Sequence, residues 1–206
     1  DYMDGYRVFT WDHDQFPRLP NLLKDLGEQG FKGVAIIDPG IKVDDHYALY
    51  QDALQQDIFL KYPNGKPVIA PVWPGNCLFP DFTSARVRAW WAAQLPTLIN
   101  AGFAGFWNDM NEPAVITGQR GTTLADYVVH DWDSAGQNHA GGGHNVYGLL
   151  MSRATREGIA KHQPDKRPFV ITRATHAGGQ RYASSWTGDN DASWDHLRLS
   201  ISMVLN

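Results

Sequence analysis

Short apolar runs that stop on a charged side chain recur along this chain, and they restrict its fold more than any other feature. Within 102–113, Phe103, Ala104, Phe106 and Trp107 are too few for a helix and lead straight to Asp109. Val34 to Ile37 end on Asp38 before Pro39 and Gly40, and Pro168 to Thr172 end on Arg173. The stretch 183–190 brings Asp189 in the same way. Runs apolar on both faces are what buried parallel strands require.

Amphipathic segments alternate with these runs. Leu19, Leu22, Leu23 and Leu26 predict a helix within 17–30. Val87, Trp90, Trp91, Leu95, Leu98 and Ile99 predict another over 83–101, with Asp81 or Thr83 as its cap and a kink or break at Pro96. Residues 146–162 and 193–206 also read as helices. Alternation at βα spacing with polar strand ends predicts an α/β fold, a (β/α)8 TIM barrel. The strands are too few to close it, so the barrel is expected to be incomplete, with central strands present and the first and last missing. A doubly wound open sheet is the alternative. Residues 1–206 are expected to form part of one barrel domain, with long loop insertions near 39–80 and 114–145. Residues 41–66 read as irregular, 67–73 as a further apolar run, and the aromatic, acidic segment 1–16 as a loop at a binding face rather than core.

Composition narrows the function. Hydrophobic residues at 43% and charged residues at 19% of 206 suit a globular protein, and the net charge of −4 without basic clusters argues against nucleic acid or an anionic membrane surface as partner. Eight Trp and eight Tyr suit the apolar faces of sugars as well as a core. Cys77 is the only cysteine, which excludes an internal disulfide and a zinc pattern and leaves the compartment open, with a lean to the cytoplasm. Asp1 and Asn206 both fall in what read as mid-element positions, so an excerpt of a longer protein is expected, with a homo-oligomer left open. Gly141 to Gly143 lack the Lys and Ser/Thr of a phosphate loop and read as a flexible loop. His13, Asp14, Asp45 and His46 are the one metal-binding alternative; otherwise no metal or organic cofactor is expected.

Two carboxylates at different strand ends, with Trp73, Trp107 and Trp186 in comparable positions, suggest glycoside hydrolysis. One carboxylate attacks the anomeric carbon while the other protonates the leaving oxygen. The acid is expected in the more apolar or more anionic setting, because it must hold its proton near neutrality. On residue type alone Asp38, Asp109, Glu112, Asp189 and Asp191 all compete.

The segment Trp107-Asn108-Asp109-Met110-Asn111-Glu112-Pro113 resembles the nucleophile signature of glycoside hydrolase family 31, in its α-glucosidase branch. Arg181-Tyr182 followed by Trp186-Thr187-Gly188-Asp189 is similar to the acid/base segment of that family. Val72-Trp73-Pro74-Gly75, Phe79-Pro80-Asp81-Phe82 and Phe169-Val170-Ile171-Thr172-Arg173 match in order. The resemblance implies a retaining exo-α-glucosidase that releases terminal non-reducing glucose from oligosaccharides through a covalent glycosyl-aspartate. It implies Asp109 as nucleophile and Asp189 as general acid/base, with Arg173 bonded to the nucleophile or to a glucose hydroxyl. It also implies a pocket wall of Ile36, Trp73, Trp107, Met110 and Trp186. Asp38 would be structural or a partner of these groups, and Glu112 a hydrogen-bonding member of the loop. A transglucosidase of the same family and a catalytically inactive sugar-binding protein are the alternatives. A sugar-binding Asp and a His of the family fall outside 1–206.

Overall fold

The computed structural model describes residues 2–117 and 120–205, so expectations attached to Asp1 and Asn206 lie outside the described residues. In chain order the elements are α1 (Leu19–Glu28), β1 (Val34–Ile37), β2 (Ile41–Lys42), α2 (Ala48–Gln55), β3 (Ile69–Val72), β4 (Gly75–Leu78), α3 (Ala85–Gln94) and α4 (Pro96–Ala101). They continue with β5 (Gly105–Asn108), β6 (Ala114–Thr117), β7 (Arg120–Thr123), β8 (Val129–His130), β9 (Gln137–Asn138), α5 (His144–His162), β10 (Val170–Thr172), β11 (Ser184–Ser185) and α6 (Trp194–Leu205).

Four strands, β1, β5, β10 and β11, form one parallel sheet and lie side by side in the order of the chain. A doubly wound sheet would reverse its strand order at a switch point; this sheet does not, and it is the wall of a partial (β/α)8 barrel. Its register sets Ala35 beside Phe106 and Ile37 beside Asn108, with Val170 and Thr172 continuing the two rows on β10. All six of these side chains are buried. The alternate row, Ile36, Trp107 and Ile171, is only half-buried. Side chains alternate across a strand, so the buried row faces the helices, where α5 packs on β10 and β5, and the half-buried row faces the open side.

The helix over 83–101 breaks at Pro96 into α3 and α4, because proline supplies no N–H for a continuous ladder but suits a helix start. Ser84 precedes α3, while Asp81 accepts from the backbone N–H and the hydroxyl of Thr83 one turn earlier. Trp91, fully buried, meets Phe9 and Phe82 edge to face and donates from its indole nitrogen to Thr155 on α5. The segment 1–16 departs from expectation: Met3, Val8 and Phe9 are buried in the core, and the hydroxyl of Tyr47 donates to the Val8 carbonyl. Its apolar residues cover the α3 side of the core, which interleaved acidic residues obscured.

Residues 41–66 are more ordered than their polarity suggests, since they contain β2 and α2. The run 67–73 contributes β3, not to the parallel sheet but to an antiparallel sheet in the order β2, β4, β3. Between 114 and 143 the chain forms two antiparallel pairs, β6 with β7 and β8 with β9, and a π-helical turn at His139–Gly143 that runs into α5. Gly141 to Gly143 thus belong to a helix entry. Among the described residues, no helix is long and apolar enough to cross a membrane.

Candidate active site

The register of the sheet decides which charged residues meet. Asp38, Asp109 and Arg173 each follow the last residue of β1, β5 and β10, one step beyond the Ile37, Asn108 and Thr172 row. Alternation therefore turns them to the same open side as Ile36, Trp107 and Ile171. The Asp109 N–H extends the ladder by donating to the Ile37 carbonyl at 3.2 Å.

Arg173 is the hub. Its Nε donates to Glu112 Oε1 at 2.8 Å and lies 3.3 Å from Asp109 Oδ1. Its Nη1 donates to Asp189 Oδ2 at 2.9 Å, and Nη2 reaches Met110 Sδ at 3.3 Å. Three carboxylates thus share one planar fork, an arrangement open to arginine but not to a point-charge ammonium. Burial works against the charge of Arg173, but the Glu112 bond and the fields of Glu112, Asp109 and Asp189 outweigh it and raise its pKa.

The carboxylates differ in setting. Burial pushes the Asp109 pKa up, as do Glu112 and Asp189, against the opposing pull of the Met110 N–H and Arg173. Asp38 is only 8% exposed and is pushed up to about 7, by burial first and then by the nearby charge of Asp109. Asp189 is the reverse, with 85% of its side chain accessible. The acid was expected in the more apolar or more anionic setting, and of the implied pair the better-buried member is Asp109. Asp189 follows the two-residue β11 by way of the half-buried Trp186, Thr187 and Gly188.

Polar atoms lacking partners gather at this site. Asp38 Oδ1, Trp107 Nε1, Asp109 Oδ1 and Glu112 Oε2 are buried without a hydrogen bond. These atoms retain capacity for further hydrogen bonds, although Asp109 Oδ1 already faces Arg173 Nε at 3.3 Å. Met110 adopts φ 54°, a left-handed conformation that costs a side-chain-bearing residue on the order of 1 kcal/mol. The following Asn111 secures the turn, accepting at Oδ1 from the Thr172 hydroxyl at 3.0 Å and donating to the Gly148 carbonyl at 3.4 Å.

The pocket-wall candidates divide. Trp107 and Trp186 meet edge to face with centroids 5.5 Å apart, while Ile36 and Met110 flank them on β1 and in the Asp109 loop. Trp73 lies in the β3–β4 turn, is 60% exposed, and among the described residues makes no ring contact with either tryptophan. Asp191 is exposed and lies 3.6 Å from His196 Nε2 instead of near Arg173. The closeness of Asp38 to Asp109, and the grip of Glu112 on Arg173, were not decided by residue type; the common strand-end position of Asp38 was the available signal. Among the described residues, no group of three or more His, Cys, Asp or Glu is placed to hold a metal ion.

The model of the "Glycosyl hydrolases family 31 TIM-barrel domain" matches residues 1–206. Over its whole length the chain is 45% identical to "Alpha-glucosidase 2" of Bacillus thermoamyloliquefaciens, of which it covers 26%. Among solved structures it is similar to the family 31 α-glucosidase of Bacteroides thetaiotaomicron, at 43% identity and TM-score 0.81 over 98% of this chain and 32% of that one. It is also similar to an ER glucosidase II complex of catalytic and regulatory subunits, at 34% identity and TM-score 0.88 over 99% of this chain and 22% of that one. The chain spans about a quarter of the length of the curated relatives it matches.

Proposed function

This chain belongs to glycosyl hydrolase family 31, and from that membership we propose that it carries the reacting carboxylates of a retaining exo-α-glucosidase acting on α-linked oligosaccharides. In this reading residues 1–206 are part of one catalytic barrel domain, with 39–80 and 114–145 as insertions around the site. The observation that carries it is the Arg173 fork, which joins Asp109, on the sheet's open side, to Asp189 across the site.

The chemistry is two displacements. A carboxylate oxygen of Asp109 attacks the anomeric carbon as the glycosidic C–O bond breaks, and the Asp189 carboxyl proton goes to the departing oxygen. This leaves a β-glycosyl ester on Asp109. A water then gives its proton to the Asp189 carboxylate and attacks the same carbon, and Asp109 departs. Two inversions return the α-anomer. The roles of Asp109 and Asp189 follow the family signature; Arg173 keeps Asp109 ionised and oriented, and Ile36, Trp73, Trp107, Met110 and Trp186 form the wall against the terminal glucose. No step requires a metal or organic cofactor. Retention asks for carboxyl groups roughly 5–5.5 Å apart with sugar bound, whereas inversion asks for roughly 6.5–9.5 Å.

The test is proton NMR of the first product formed by the full-length protein from 4-nitrophenyl α-glucoside. α-Glucose is expected; β-glucose, or no glucose, overturns the reading. With concentrated maltose, glucose alone identifies a hydrolase, and longer saccharides identify a transglucosidase.

A further inference from the structure

A second polar system lies on the other side of the Asp109 loop, away from the open face. Asp81, His130 and His139 are 4%, 0% and 1% exposed. His130 Nε2 lies 3.0 Å from His139 Nδ1, and His139 Nε2 lies 3.1 Å from the hydroxyl of Thr123. That hydroxyl donates to the carbonyl of Pro113 at 3.0 Å. At the far end His130 Nδ1 faces Asp81 Oδ1 at 3.6 Å. The hydrogen-bonded run therefore crosses from β8 through the π-helical turn to β7, and ends next to Glu112.

Its polarity can be worked out from one end. A hydroxyl has one proton, and Thr123 spends it on Pro113, so its oxygen must accept from a protonated His139 Nε2. Burial, followed by the neighbouring His130 and His144, lowers the His139 pKa to about 4, so the ring is neutral and Nδ1 carries a lone pair. His130 must then donate from Nε2. From His130 to Thr123 each member is thus fixed by the next, and substituting His139 leaves buried partners on both sides unsatisfied, whereas Asp81 is held by Thr83 and the Asp131 N–H instead. The two imidazoles are nearly parallel, at 9° with centroids 5.3 Å apart, and Gly143 allows the turn to close over them: a Cβ there would stand 2.4 Å from the His130 ring.

We propose that the run of His130, His139 and Thr123 fixes the Pro113 end of the loop carrying Asp109 and Glu112, making His139 and Thr123 positioning residues for glycosidic cleavage; this rests on the function proposed above. The loop is pinned on its other side by Asn111, through Thr172 and Gly148. Its exit is held by the Thr123 hydroxyl on the Pro113 carbonyl together with the Ala114 N–H on the Met110 carbonyl and the β6–β7 ladder, and Glu112, one residue before that exit, in turn holds Arg173.

The test compares Thr123→Val, which keeps the shape and deletes the hydroxyl, with Thr123→Ser, which restores it, both in the full-length protein. For T123V, kcat on 4-nitrophenyl α-glucoside is expected to fall about tenfold with KM changed less than twofold, as a misplaced reacting group requires. Hydrogen exchange in peptides spanning 109–117 is expected to rise, and T123S to reverse both effects. A T123V enzyme with parental kcat, or with unchanged exchange in those peptides, overturns the proposal even if its Tm falls. Should T123V not accumulate, Thr123→Ala carries the same expectations. An inactive parent instead overturns the functional reading, and is distinguishable because no variant enters that comparison.

Discussion

Arg173 donates to Asp189 across 2.9 Å, and so ties the end of β10 to the segment that follows β11. β11 has two residues, and Asp189 lies four residues beyond its end. The guanidinium supplies what the ladder does not, while its Nε stays beside Asp109 and Glu112.

Replacing Arg173 should therefore affect more than one carboxylate. Arg173→Lys keeps a charge but loses the fork, and with charged hydrogen bonds worth about 1.5–3 kcal/mol each, kcat/KM should fall by at least about tenfold. Arg173→Met also removes the charge that opposes the raised pKa of Asp109. The nucleophile must be ionised, so the acid limb of the kcat/KM profile should move to higher pH. A limb that stays put in R173M would show that Asp109 does not control it.

Asp109→Asn should abolish turnover of aryl α-glucosides, on the order of 10⁴-fold, with a Tm close to that of the parent. The amide preserves shape and removes nucleophilicity. Glucose release at parental rates would remove Asp109 from the role of nucleophile.

Asp189→Ala should discriminate by leaving group. A 2,4-dinitrophenolate departs without protonation, so formation of the glycosyl-enzyme from that glucoside should be nearly intact, whereas cleavage of maltose should drop by about 10² to 10⁴. Equal losses on both substrates, followed in the pre-steady state, would argue that Asp189 does not act as the acid.

Asp38 links the site to stability. Folded Asp38 takes up its proton at about 7, against 3.8 unfolded. Below 3.8 both states are protonated and there is no penalty; as pH rises through 7 the folded state bears the full cost of a buried charge, on the order of 4 kcal/mol. Asp38→Asn mimics the protonated form, so it should raise Tm at pH 8 by several degrees and leave it unchanged at pH 4. Thermal unfolding at the two pH values decides this, since an equal shift at both would reflect packing alone.

Gly148 sits where α5 meets the loops after β5 and β10. A Cβ there would lie 2.2 Å from the Ala174 carbonyl oxygen and 2.7 Å from that of Asn111, both backbone atoms that cannot turn away. Gly148→Ala should cost about 3 kcal/mol and reduce activity as well, because Asn111 belongs to the Asp109 loop. Denaturant unfolding within 1 kcal/mol of the parent would contradict this contact.

Local patterning was enough to find β1, β5 and β10, because each is an apolar run bounded by a turn, and Pro96 announced the division between α3 and α4. The insertions were far less readable. β2, β8 and β9 have two residues each, below the length at which alternation can be recognised, and 114–143 is organised by distant partners such as Asp81 for the Asp131 N–H and Thr83 for the Trp132 N–H. At the site, the strand-end positions of Asp38, Asp109 and Arg173 were visible; their mutual distances depended on register, which a single sequence does not state. The burial of Phe9 was hidden for a different reason, since its neighbours are polar and the groove it fills is built by α3.

The two rows of the parallel sheet carry a final consequence. Side-chain direction alternates with every residue, so sliding β5 against β1 by one position would send Trp107 and Asp109 under α5 and bring Phe106 and Asn108 to the open side. No intermediate alignment preserves half of the site or half of the core. One register therefore sets both the burial of Phe106 and the presentation of Asp109.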